Sequence, residues 1–298
     1  MQSGILLIDK PEGPSSAHLV RKVKGILRAK RVGHLGTLDP FASGLLPLGI
    51  NEGTKVAGIF LSGAKTYRGI MRLGVETETQ DLTGKVLEVR PVMSFGDPEL
   101  KSLEQQFTGD LRQIPPMFSA LKKHGVRLYE LARQGREIPR EPRDIRVEKL
   151  RLNRLTADEI EFEVTCSRGT YVRTLAADMG KALGCGAHLK SLRRLACNHL
   201  TVEEAVTPDQ LERLHSQGQV PLIALEVGLN HLPAVTWESR RISQLRLGQQ
   251  EMLSQLDRPK AGEKLVRIQD SEGHLVALAE WNETFPRGRW QLFRVFHP

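Results

Sequence analysis

The chain has 298 residues, with 43 Lys and Arg against 35 Asp and Glu, a formal net charge of +8. That length points to two domains, each able to bury an ordinary core, and 40% hydrophobic with 26% charged residues excludes disorder as a description of the whole chain. No run reaches the roughly 18 apolar residues of a membrane span, and Cys166, Cys185 and Cys197 are too few for a disulfide framework, so a reducing, cytoplasmic setting is expected.

The first eleven residues contain one short apolar run, Ile5 to Ile8, closed by Asp9 and Lys10; this is a buried strand and not a signal peptide. A Pro/Gly turn follows, and Ser15 or Ser16 can cap a helix. On that helix Leu19, Val20, Val23, Ile26 and Leu27 share one face while Arg21, Lys22, Lys24 and Arg28 point elsewhere. Residues 31–49 are rich in Gly, Pro, Ser and Thr yet apolar, which predicts an ordered loop held against a core. Glycines 33, 36 and 44 would permit close backbone approach there. Alternation from Thr66 to Leu73 predicts a strand, and Asp97 to Phe107 a short helix. A polar, arginine-rich segment runs from about Pro115 to Arg143. Strands are expected at Ile145 to Leu152 and Ile160 to Cys166, then a helix with the stripe Val172, Leu175, Ala176, Met179 and Leu183. Near residue 230 the pattern changes: all three tryptophans lie beyond it, and the short strand-like pieces there predict a small, mostly β second domain.

The basic residues are unevenly spread. Residues 21–31 hold six and no acid, and residues 122–146 hold eight against four acids. Such clusters suit phosphate contacts and counterion release, although a solvated helix face produces the same pattern. There is no P-loop and no Gly-x-Ser-x-Gly elbow. Cys185-x-x-His188 and Cys197-x-His199 imitate a metal site, but the eight residues between the halves read as continuous structure, so no metal is expected.

Asp39 stands in GHLGTLDPFASGLLPL, before a proline that fixes the next φ. An Asp-Pro pair alone is usually a turn former. The whole segment, however, resembles the signature loop of the TruB family of pseudouridine synthases, whose bacterial members modify position 55 of tRNA. LLIDKPEGPSS, KTYRG, SRGTYVRTLAADMG and SLRRL resemble further motifs of that family, in the family's order, across nearly the first 200 residues.

The resemblance implies an α+β chain: a mixed, largely antiparallel central sheet flanked by helices and loops over residues 1–230, with a basic, thumb-like insertion at about 115–143. Residues 231–298 resemble a small β-rich RNA-binding domain of PUA type. It further implies Asp39 as nucleophile, Arg173 as its partner, Tyr67 packed on the uracil, and Tyr171 holding the base. His34 would fill the stack left by the flipped base, and Leu192 would contact the nucleotide. Lys10 and Pro11 would support the pocket. RNA-backbone contacts are expected from Lys22, Arg28, Lys30, Arg31, Lys122, Lys123 and Arg127. Isomerisation of uridine needs no redox change, so neither cofactor nor metal is expected. The partner would be the T-arm of tRNA, met by a monomer with no membrane or obligate protein partner. Two rivals are a relative working inside a guide-RNA ribonucleoprotein, against which the basic insertion argues, and an RNA-binding protein whose catalysis is secondary.

Overall fold

The computed structural model describes residues 2–123, 125–285 and 288–297. Strand β1 (Gly4–Lys10) buries its apolar run completely. Helix α1 (Ser16–Leu27) starts where the Ser15 side chain accepts from the His18 N–H and stops where Arg28 turns left-handed, at φ 48°. Its buried face, Ser16, Leu19, Val23 and Leu27, follows the helical period. Next come β2 (Val32–His34), β3 (Ser43–Ile50), the short helix α2 (Ala57–Ser62) and β4 (Lys65–Leu73). The expected loop over 31–49 is therefore mostly strand, because β2 and β3 pair antiparallel and only residues 35–42 project beyond them. Its glycines and proline hide the strands from a propensity reading. Pro47, which cannot donate to a ladder, falls where β3 switches neighbours along one edge.

A hairpin of β5 (Val75–Thr77) and β6 (Val86–Val89) precedes α3 (Asp97–Gln106) and β7 (Gly109–Gln113). The arginine-rich segment is less formless than its composition suggests. It contains the paired pieces β8 (Lys122–Lys123) and β9 (Val126–Arg127) and the helix α4 (Leu128–Arg133). Met117, Leu128 and Leu131 form a small core of its own. The long strands β10 (Arg143–Arg154) and β11 (Glu159–Cys166) follow, then α5 (Val172–Ala182), β12 (Ala187–Cys197), β13 (Leu200–Thr201), α6 (Pro208–Ser216) and α7 (Leu225–Gly228).

The main sheet runs β1-β3-β12-β4-β11-β10-β7, with β2 on β3 and β13 on β12. Its pairings are antiparallel except β12 with β3, where Arg193 and Arg194 lie opposite Ser43 and Gly44. Gly44 has φ 99°, and a Cβ there would sit 2.3 Å from the Arg194 carbonyl oxygen, so this crossing demands glycine. Gly33 and Gly36 do not share that need, since a Cβ at either meets its nearest atom at an ordinary 3.6 Å. One face of the sheet packs on α5 through Val172, Leu175, Ala176 and Met179, each burial being worth about 1.5–3 kcal/mol for the larger side chains. Helices α1 and α6 cover β1 and β3 through Leu19, Val23, Leu27 and Leu211.

Beyond α7, the strand β14 (Ala234–Thr236), helix α8 (Ser239–Arg246) and strands β15 (Leu265–Gln269), β16 (Leu275–Asn282) and β17 (Arg289–Val295) complete the chain. These four strands form a second sheet in the order β14-β15-β16-β17, with its own core around Trp237, Ile242, Ile268 and Trp290. The two sheets are not separate. Leu275, Leu278 and Phe296 share a core with Ile5, Phe60 and Leu200, and Lys55 Nζ donates to the Val295 carbonyl at 2.7 Å. Arg267 hooks the connecting segment by donating to the carbonyls of Leu232, Glu226 and Asn230. Among the described residues no helix is long and apolar enough to cross a membrane.

Candidate active site around Asp39 and Arg173

The loop between β2 and β3 carries Asp39, and its backbone is held from three directions. The hydroxyl of Ser16, buried in the first turn of α1, donates to the Leu38 carbonyl at 2.8 Å and accepts from the Leu38 N–H at 2.9 Å. Lys10, at the end of β1, is fully buried and donates to the carbonyls of Pro11, Pro40 and Ala42. Arg194 of β12 donates to the carbonyls of Gly36, Thr37 and Leu45. The residues on both sides of Asp39 are thus pinned, and its carboxylate is aimed by the chain around it.

Neither Lys10 nor Arg194 makes an ion pair among the described residues. Both deliver their charge to carbonyl dipoles instead. Burial pulls the Lys10 pKa down from 10.5 to about 8, with the negative charges of Asp39 and Glu12 working in the opposite direction.

Arg173 enters from the first turn of α5. Its Nε lies 2.9 Å from Asp39 Oδ2. Nη1 donates to the Thr79 carbonyl at 2.8 Å and Nη2 to the Phe118 carbonyl at 2.9 Å. Asp81 Oδ2 stands 3.5 Å from Nη1, while its other oxygen accepts from Thr79 Oγ1, Thr83 Oγ1 and the Thr83 N–H. A guanidinium that never loses its proton is therefore fixed by two carboxylates and two carbonyls. The asymmetry between the pair matters: the Arg173 side chain is 7% exposed and that of Asp39 41%. The arginine is structure-bound, and the aspartate keeps a face open to an incoming molecule.

Tyr67 of β4 lies opposite Arg194 on β12, and Leu192 lies opposite Gly69. Tyr67 packs against the cluster that contains Leu192 together with Leu38 and Phe41, which flank Asp39. Burial pushes the Tyr67 phenol up to about 12, opposed by the Arg194 guanidinium, so at neutral pH it offers a proton and an aromatic face, not a base. Tyr171 caps α5, two residues before Arg173. Burial raises its pKa too, with Ser119, Arg143 and Arg173 pulling the other way. His34 closes β2, its Nδ1 buried without a partner. Burial and the Arg194 charge lower its pKa, which favours a neutral ring. No hydrogen bond joins His34 to Asp39 among the described residues.

Of the seven cations expected to meet an RNA backbone, Arg28, Lys30, Arg31, Lys122, Lys123 and Arg127 are exposed. Lys22 is instead engaged by Asp209 at 3.6 Å and Glu212 at 3.1 Å. Of the imitated metal site, Cys185 lies two residues before β12 and Cys197 ends that strand, and both thiols are buried.

The sequence does not mark Asp81, and it marks Ser16 only as a possible helix cap and Arg194 only as part of SLRRL, not for the contacts they make here. Asp81 had a signal, the flanking Thr79 and Thr83 that tie its carboxylate into a turn. Ser16 and Arg194 act through backbone carbonyls far away in sequence, and no local pattern announces that.

The family model for the TruB family pseudouridylate synthase N-terminal domain matches residues 24–172, and that for the tRNA pseudouridylate synthase B C-terminal domain matches residues 173–222. The chain is similar to the tRNA pseudouridine synthase B of Stutzerimonas stutzeri strain A1501, 41% identical over 286 residues covering 94% of this chain and 92% of the relative. It is 43% identical to that of Burkholderia mallei strain NCTC 10247, over 94% of this chain and 93% of the relative. A chain in the crystal structure of a Cbf5-Nop10-Gar1 complex superimposes with a TM-score of 0.75 at 25% identity, covering 99% of this chain and 85% of that one. Each of the motifs around Asp39, Tyr67, Arg173 and Leu192 falls inside the matched span, and the chain belongs to the TruB family of pseudouridine synthases.

Proposed function

We propose that this protein is a tRNA pseudouridine synthase that converts the uridine at position 55, in the T-arm, and that Asp39 is its nucleophile. The observation that carries the reading is the Asp39–Arg173 pair, 2.9 Å apart with the arginine buried and the aspartate open, in a chain of this family. The reaction breaks the N1–C1′ glycosidic bond of uridine and forms a C5–C1′ bond, with no change of redox state. A carboxylate adding covalently to the nucleotide divides one difficult step into easier ones. Arg173 holds that carboxylate in place as a permanent cation.

The target base is extruded before chemistry, at a cost of a few kcal/mol. Tyr67 offers its aromatic face to the flipped uracil, a stack worth about 1–3 kcal/mol, with Leu192 on the same side of the sheet and Tyr171 holding the base. His34, neutral and with an unsatisfied ring nitrogen, occupies the gap in the RNA stack. Arg28, Lys30, Arg31, Lys122, Lys123 and Arg127 meet phosphates, and Lys22 contributes less because two carboxylates already hold it. The second sheet serves as a PUA-type RNA-binding unit. The enzyme works in the cytoplasm as a monomer, reading tRNA directly; the basic insertion with its own small core supports this over a guide-RNA assembly.

Incubation with an unmodified tRNA transcript, followed by mapping of the altered nucleoside, tests the assignment. Asp39→Asn is expected to lower conversion by at least ~10³-fold while tRNA affinity changes little. Parallel loss of binding would make Asp39 structural and remove it from the chemistry.

A further inference from the structure

Gln113 ends β7, the edge strand of the main sheet, just before the basic insertion that begins at about Pro115. Its side chain is buried, 4% exposed, and behaves as a peptide group does in a ladder. Nε2 donates to the Tyr171 carbonyl at 3.1 Å, and Oε1 accepts from the Tyr171 N–H at 2.8 Å. On the main chain Gln113 lies opposite Arg143, where the insertion returns into β10. One residue therefore ties both roots of the insertion to the start of α5.

Tyr171 is the N-cap of α5 and makes no side-chain cap, while its carbonyl also accepts from the Leu175 N–H at 3.0 Å. Gln113 thus grips the residue from which the helix departs. Two positions later Arg173 reaches Asp39. The insertion touches the same guanidinium again, because the Phe118 carbonyl accepts from Arg173 Nη2. We propose that Gln113 is a positioning residue for the Asp39–Arg173 pair: its carboxamide locks the Tyr171 backbone to the root of the basic insertion, so the seating of the insertion sets the place of the guanidinium. The inference rests on the reading of Asp39 and Arg173 as the reacting pair.

The chemistry asks for an amide. One donor and one acceptor must face a single backbone residue at the reach of a glutamine. Leucine supplies neither. An ionised glutamate keeps the shape but offers only acceptors, turning one of them against the Tyr171 carbonyl. A protonated glutamic acid restores the donor. Charged groups around Tyr171 are Arg143, Arg173 and Asp39, so each variant is referred to wild type at the same pH.

Single-turnover conversion and tRNA dissociation constants are measured for wild type, Gln113→Glu and Gln113→Leu. Wild type must first convert the transcript; if it does not, the functional reading fails before the positioning role is in question. At about pH 8 both variants should be slower by ~10–100-fold, the cost of a small misplacement of catalytic groups, with affinity within about 3-fold of wild type. On acidification to about pH 6 the rate of Gln113→Glu relative to wild type should rise several-fold while Gln113→Leu stays flat. Should Gln113→Leu not fold, the isosteric Gln113→Glu carries the test alone. A wild-type rate in Gln113→Glu at about pH 8, equal losses in rate and affinity, or a ratio to wild type that does not respond to pH would each overturn the proposal.

Discussion

Lys10 and Arg194 bring two cations to places where carbonyl oxygens, not carboxylates, receive them, and those carbonyls belong to the loop that carries Asp39. For Lys10 this has a consequence in solution. Its folded pKa, about 8, lies below the ordinary 10.5, so between those values the unfolded chain binds more protons and stability rises with pH. The penalty for burying the ammonium is complete below about pH 8 and fades toward 10.5. Urea unfolding of wild type and Lys10→Met across that range should therefore show the advantage of wild type growing with pH, and an advantage that stays constant or shrinks would show that the ammonium is not desolvated as described. At this scale the sequence was uneven. Asp39, Tyr67, Tyr171 and Arg173 were legible through motifs alone; taken singly each looked like a turn former, a core aromatic or a surface residue. The roles of Ser16 and Arg194 are not legible, because their partners are backbone atoms that only the fold brings near, and that of Asp81 is only half legible, since Thr79 and Thr83 flank it but Arg173 arrives from a distant helix.

At the level of elements, α1 does two jobs with adjacent serines. Ser15 caps the helix from an exposed position, whereas Ser16 is buried and satisfies both the N–H and the C=O of Leu38. Ser15→Ala should cost about 1 kcal/mol and leave turnover unchanged. Ser16→Ala should cost about 1–3 kcal/mol through the two unsatisfied groups and also slow conversion, because Asp39 is the next residue. Denaturation midpoints and rates for the two variants check the difference, and equal effects on turnover would show that the Leu38 contact does not aim the loop. Helices and strands with clean periods, such as α1, α5, β4 and β11, were readable from spacing. The strands β2 and β3 are obscured by Gly33, Gly44, Gly49 and Pro47, of which Gly44 is required by the tight crossing with β12, Gly49 by the close approach of Gly53, and Pro47 falls at the change of partner. The helix α4 was missed because six residues with two buried leucines give too little period to register.

For the whole molecule, the composition change near residue 230 marks the start of a second sheet but not an independent body. Leu275, Leu278 and Phe296 cover Ile5, Phe60 and Leu200. Deleting residues 231–298 would uncover that surface, removing several contacts worth about 1.5–3 kcal/mol each. The remaining chain should melt on the order of 10 °C lower, at about 2–4 °C per kcal/mol for this size, or precipitate. Differential scanning fluorimetry decides this, and an unchanged melting temperature would mean that the shared core contributes nothing. The hook made by Arg267 on three carbonyls of the connecting segment has a corollary for recognition. Held by this hook, by the shared core and by the Lys55–Val295 bond, the surface around Asp39 and the face of the second sheet stand at a set span, like the jaws of a gauge. On the proposed reading, a nucleic acid that engaged both would have to bring the matching length itself, and discrimination among RNAs would then come from measurement as much as from affinity.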